Sequence, residues 1–219
     1  MPSLREPPVD TGADDVQAHP RRTGIAWFDL ALALSAIFIS AVSLAVAIEH
    51  GRTERDLVAA SSWPFLRALY SNSWGDGATH FAAIGVSNGG VGPAKLESYQ
   101  VFYDGKPAAN QVELLRRCCG LGPTQEDYLR ALHNKGMFAI VDHTVLRPGD
   151  VSVVLGVQRG TEVGDRLADS FRRMEFRACY CSILDQCWIS NLRSTRVQAV
   201  KSCPEPAVRY DPTPPTLGR

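Results

Sequence analysis

Hydrophobic residues follow two different rhythms along this chain. From Gly24 to Ile48 the sequence reads GIAWFDLALALSAIFISAVSLAVAI, with Asp29 its sole charged residue. At about 1.5 Å rise per residue, such a helix reaches roughly 37 Å and crosses the ~30 Å hydrocarbon core of a bilayer. A helix buried in a soluble core seldom stays apolar on every face for so long. Residues 24–48 are therefore predicted to form a transmembrane helix in direct contact with the lipid bilayer. Asp29 lies near one end, within reach of the headgroups, and Trp27 and Phe28 suit the same interface. A cleaved signal peptide is the alternative, because Arg21-Arg22 precede the run and Ala45-Val46-Ala47 offers an A-x-A pattern. The run exceeds a usual signal core and a long segment precedes it, which favours an uncleaved anchor.

Beyond the run the period shortens to two. HFAAIGVSN is apolar and ends in turn-forming residues. ESYQVFYDG sets Tyr99, Val101 and Tyr103 on one face and closes on Asp104-Gly105, a strong turn signal. MFAIVDHTVL (137–146) reads as one strand, RPGD as a turn, and VSVVLGVQ as a strand with Val151, Val153, Leu155 and Val157 on one face. EFRACYCSIL alternates again, with Phe176, Ala178 and Tyr180 opposite Cys179, Cys181 and Ile183. Helical signals occur in NQVELLRRCC (110–119) and in TQEDYLRALHNKG (124–136), where Thr124 is placed to cap and Gly136 to terminate. TEVGDRLADSFRR reads equally as a loop or a short helix.

These patterns predict a mainly β protein: a transmembrane helix followed by an antiparallel, immunoglobulin-like β-sandwich with a short helical insertion. The domain boundaries follow. Residues 1–23, rich in Pro, Asp and Gly, form a disordered tail. Residues 49–61 are a juxtamembrane helix or linker, ended at the latest by Pro64. Residues 62–203 are the sandwich. Residues 204–219, with five prolines and no apolar pattern, form a flexible C-terminal tail.

Charge and cysteine placement narrow the function. The 23 basic and 23 acidic residues cancel, which argues against a nucleic-acid partner. All six cysteines follow the apolar run, a distribution suited to a β-rich domain in an oxidising compartment. With Arg21-Arg22 abutting the near end of the span, the N-terminus is expected in the cytoplasm and the C-terminal domain outside it.

Cys179 and Cys181 stand at i and i+2, and Cys187 follows a turn at Asp185-Gln186 that brings it opposite one or the other. Zinc and thioredoxin-like redox sites favour C-x-x-C pairs, and the chain has none. Structural disulfides are the reading, at least one of them using Cys179, Cys181 or Cys187, although six cysteines allow 15 pairings. A vicinal bridge between Cys118 and Cys119 is not expected, because it strains the peptide unit between them.

Gly85-Val86-Ser87-Asn88-Gly89 matches the G-x-S-x-G nucleophile elbow, which needs a helix directly after the serine. Here Gly90-Val91-Gly92-Pro93 follows. A small serine hydrolase using Ser87 is the alternative. The preferred reading is a structural turn at Asn88, Gly89, Gly90, Gly92 and Pro93, with the glycines supplying positive φ. The turn lacks the G-K-[ST] of a P-loop. Asp142 and His143, adjacent on a presumed strand, face opposite ways and make no ligand pair. No catalytic residue, cofactor or metal ligand is assigned. A non-enzymatic, membrane-anchored binding or envelope-assembly role with a protein partner is expected.

The span followed by SSWPFL, VSNGGVGPAKLESYQVFYDGKP, VLRPGD and CYCSILDQCW resembles a group of uncharacterised, membrane-anchored bacterial proteins. In that group an N-x-G-x-G-P-A turn joins two strands of a small sandwich. The likeness covers most of residues 25–190. It implies a single-pass protein of a bacterial inner membrane with a periplasmic domain, and it carries no activity.

Overall fold

The computed structural model describes residues 26–213; the tail expected at 1–23 and the last six residues lie outside the described range. The first helix, α1 (Ala26–Ser61), runs without a break through Gly51. It is long and apolar enough to cross a membrane. Within it Ser35 and Ser40 donate their hydroxyls to the carbonyls of Leu32 and Ala36, so neither polar group needs water. Helical geometry ends three residues before Pro64, whose ring disfavours it at Trp63.

The chain divides between Thr53 and Glu54 into two compact units. The second carries all the strands. In order they are β1 (Leu66–Trp74), β2 (Phe81–Asn88), β3 (Ala94–Tyr103), β4 (Lys106–Ala108), β5 (Gly136–Phe138), β6 (Thr144–Leu146), β7 (Val151–Gln158), β8 (Met174–Cys181), β9 (Cys187–Ser190) and β10 (Gln198–Val200). One sheet has the order β1-β2-β7-β5, the other β10-β9-β8-β3-β4 with β6 also on β3. Every strand pairing in both sheets is antiparallel. A single buried cluster joins Ile84, Val86 and Leu155 of the first sheet to Leu96, Tyr99, Phe176 and Tyr180 of the second.

Helices α2 (Gln111–Cys119) and α3 (Gln125–Leu132) follow β4, and α4 (Glu162–Asp169) follows β7. Asn110 caps α2 by accepting from the Glu113 amide at 2.9 Å, and Gly120, at φ 71°, terminates it. Thr124 and Asp127 form a capping box on α3. Gly136, expected to end that helix, instead opens β5, and the chain leaves helical geometry at His133. The segment left open as loop or helix is α4, followed by one turn of 3₁₀ helix at Phe171–Arg173.

Three expectations are corrected. The protein is not mainly β: helix and strand take similar shares of the described residues, because α1 alone contributes 36. The run 137–146 is not one strand. Its ends pair with different sheets, β5 on β7 and β6 on β3, and the chain crosses between them through a turn where His143 has φ 56°. The region from residue 204 is folded as far as it is described. Tyr210 is 2% exposed, its amide donates to the Tyr99 carbonyl, and the Asp211 amide donates to Ala109. Main-chain hydrogen bonds, one aromatic ring and polar side-chain contacts hold this segment, and none of them leaves an apolar periodicity to read.

Candidate functional site

Ser87 lies in β2, which has β1 on one side and β7 on the other, opposite Arg67 and Val151. The chain then turns through residues 89–93 directly into β3, so no helix N-terminus stands behind the serine. The Asn88 side chain organises this turn. Its Oδ1 accepts from the amides of Phe65 at 3.2 Å and Gly90 at 3.0 Å. Its Nδ2 donates to the carbonyls of Gly92 at 2.8 Å and Leu146 at 3.0 Å. One buried amide thus ties the start of β1, its own turn and the end of β6 together.

The glycines serve a purpose other than the expected one. Positive φ occurs at Gly105, Gly120 and Gly149, but at none of Gly89, Gly90 and Gly92. A Cβ at Gly90 would run into the Phe65 amide nitrogen, and one at Gly92 into the Ser62 carbonyl oxygen. Close approach of the 62–65 backbone is therefore what requires glycine, and Pro93 leads the chain out into β3.

All six cysteines are bridged. Cys181 and Cys187 sit directly opposite one another on β8 and β9, with Cα atoms 4.0 Å apart. Cys179 bridges Cys203, at a Cα separation of 5.7 Å, and so anchors the C-terminal segment to β8. Cys118 and Cys119 form the vicinal bridge that strain had argued against. It falls at the last turn of α2, immediately before the left-handed Gly120, where the chain is already leaving helical geometry. The sulfurs of Cys181, Cys187 and Cys203 lie within 4.8 Å of one another, a grouping suited to a soft metal only as free thiolates.

Two further features were hidden in the sequence. The first is a cavity of about 700 Å³ over the second sheet. Gln100, Phe102, Arg177 and Ile189 contribute to it from β3, β8 and β9, and Pro204–Val208 line it from the C-terminal segment. Gln100 Nε2 donates to the Val208 carbonyl at 2.9 Å, and the Arg177 guanidinium lies 5.7 Å from the centre of the Phe102 ring.

The second is a charged cluster around Arg209. Its guanidinium meets His143 Nε2 at 2.8 Å, Glu205 at 2.9 Å and Asp142 Oδ2 at 3.6 Å. Arginine only donates, so Nε2 is the acceptor and Nδ1 carries the proton, 3.5 Å from Glu97. Both Asp142 oxygens are out of solvent without a hydrogen bond. Burial pushes this carboxyl up to about 6 against the opposing pull of Arg209. Asp142 and His143 both reach Arg209, since both lie in the inter-sheet turn and not on a strand. Arg209 gave no signal because it follows a proline-rich stretch with no pattern. Burial also raises Tyr180 to about 12, against a smaller opposing pull from the Leu66 backbone.

Comparison of the chain with protein-family models, curated proteins and solved structures returns no match.

Proposed function

We propose that this chain is a single-span membrane protein whose C-terminal domain lies outside the cytoplasm and binds a protein partner there. Six bridged cysteines, all on one side of an apolar helix, are the observation that carries the reading. Bridges persist where thiols are not continuously reduced, and a bacterial inner membrane with a periplasmic domain fits the resemblance drawn from the sequence. The paired antiparallel sheets and their common core support an immunoglobulin-like sandwich, an architecture that presents loops and sheet edges to partners. The cavity beneath Pro204–Val208 has a mixed Phe102, Arg177, Arg196 and Glu205 lining that suits a peptide segment.

Fusions at the C-terminus test the topology. Active alkaline phosphatase with a dark fluorescent protein is the expected pair of results, and the reverse pair overturns it. Photocrosslinking from position 198, also on the cavity lining, with Ala207→Trp added in the filled-cavity control, tests binding. A partner captured by the parent and lost in the control supports the reading; equal capture by both removes the cavity from it.

A further inference from the structure

The two disulfides at the end of β8 touch. Cys181 Sγ and Cys203 Sγ are 3.9 Å apart although each is bridged to another residue. Four sulfurs therefore stand in the bonding order Cys187–Cys181···Cys203–Cys179, with near van der Waals contact at the centre. Cys179, Cys181 and Cys187 are buried, whereas Cys203 is partly open to solvent. Thiol–disulfide exchange needs a thiolate able to reach a disulfide sulfur, and access limits its rate.

We propose that these four cysteines form a thiol–disulfide exchange site that takes two electrons from a dithiol, through Cys203, and re-pairs internally. One thiolate of the dithiol attacks Cys203 Sγ and breaks the bond to Cys179, which leaves as thiolate and takes up a proton. The second thiol of the dithiol attacks the mixed disulfide, leaves as the oxidised disulfide, and releases Cys203 as thiolate. Cys203 then attacks Cys181 Sγ, forms a Cys181–Cys203 bond and expels Cys187, which takes up the second proton. The dithiol has become a disulfide, and the protein has exchanged two bridges for one bridge and two thiols.

The product differs from the starting state in a useful place. Cys179 lines the cavity over the second sheet, and Pro204, the residue after Cys203, is part of its other wall. Exchange places a free thiol in the cavity and moves the anchor of its wall from Cys179 to Cys181. The cavity becomes responsive to the redox state of a dithiol that never occupies it.

The test uses the full chain in detergent, the parent protein and two single variants. The parent is treated with one equivalent of dithiothreitol, quenched in acid, alkylated and digested. Chymotryptic cleavage after Tyr180 separates Cys179 from Cys181, so each pairing is read directly by mass spectrometry. The expected result is a Cys181–Cys203 peptide with alkylated Cys179 and Cys187, in about one molecule in ten or more, the level at which pairings of near-equal potential coexist. Cys187→Ser leaves a Cys181 thiol beside the Cys179–Cys203 bridge, and Cys179→Ser leaves a Cys203 thiol beside Cys181–Cys187. Each is expected to yield the same Cys181–Cys203 peptide without reductant. A parent protein in which Cys179–Cys203 and Cys181–Cys187 pass to four thiols with no Cys181–Cys203 peptide overturns the proposal, as do variants in which the one original bridge left among these four cysteines stays unchanged.

Discussion

Arg209 Nε lies 3.6 Å from Asp142 Oδ2, and that carboxylate has no hydrogen-bond partner among the described residues. The pair links the inter-sheet turn to the C-terminal segment, and it makes the stability of the domain depend on pH in an unusual direction. Asp142 titrates at about 6 in the fold, above the ~3.9 of an unfolded aspartate. Between those values the folded protein holds a proton that the unfolded chain has lost, so this group's contribution to stability falls as pH rises from about 4 to 6. Asp142→Asn is expected to match the parent near pH 4 and to exceed it at pH 7 by about 1–2 kcal/mol, the roughly 3 kcal/mol of the full shift being reduced by solvent screening. Asp127 and Asp150, whose hydrogen bonds lower them, add a loss of stability towards acid in both proteins and cancel in the comparison. Thermal melts of the two at both pH values decide it, and equal differences at pH 4 and 7 would count against the assignment.

Asn88 is expected to be the most sensitive position of the glycine turn. Replacement by Ala strips partners from the Phe65 and Gly90 amides and from the Gly92 and Leu146 carbonyls. At about 1–3 kcal/mol for each buried group left unpaired, a loss of at least about 3 kcal/mol is expected by denaturant unfolding. Ser87→Ala should change stability by no more than about 0.5 kcal/mol. Labelling of Ser87 by a fluorophosphonate would reverse the structural reading of this turn.

Tyr210 packs edge-on to Tyr99 with ring centres 6.4 Å apart, and both are buried in the common core. Tyr210→Ala is expected to cost about 3–5 kcal/mol, and a stop codon after Cys203 at least as much. Equilibrium unfolding and the near-ultraviolet aromatic signal report both. A truncated chain as stable as the parent would show that the segment only rests on the domain.

Cys203→Ser opens a bridge that closes a loop with a sequence separation of 24, and about 3 kcal/mol of stability is expected to go with it. The Cys181–Cys187 bridge spans a separation of only 6 and joins strands already paired, so Cys187→Ser should cost less. Melting temperatures of the two variants give the order directly.

The elements that could be read from the sequence carry their cause locally. The apolar run from Gly24 to Ile48 needs no partner to declare a helix of membrane length. Asp104-Gly105 encodes the turn between β3 and β4, and Thr124 with Asp127 encodes the start of α3. What was missed depends on contacts distant in sequence. β1 (LRALYSNSW) escaped because its polar residues lie on an edge strand, and β10 because it has only three residues. MFAIVDHTVL looks like one strand because each end has a strand's composition, and only the separate demands of two sheets divide it. The Arg209 cluster unites residues 97, 142, 143, 205 and 209, which no spacing rule connects. The short turn places Cys187 opposite Cys179 or Cys181 without choosing between them, and the register of β8 and β9 selects Cys181. The partner of Cys179 was not anticipated, because it lies beyond β10.

Order of synthesis gives the C-terminal segment a further meaning. Tyr210 follows all ten strands in the chain, and its ring completes a core whose other buried members all precede it in sequence. A chain that emerges from its N-terminus makes both sheets available while the place for that ring is still empty. Cys181 and Cys187 can pair during this interval, whereas Cys179 must wait for Cys203. The domain is therefore finished by its last-made part, and it cannot acquire its full cooperativity before residue 210 has been made.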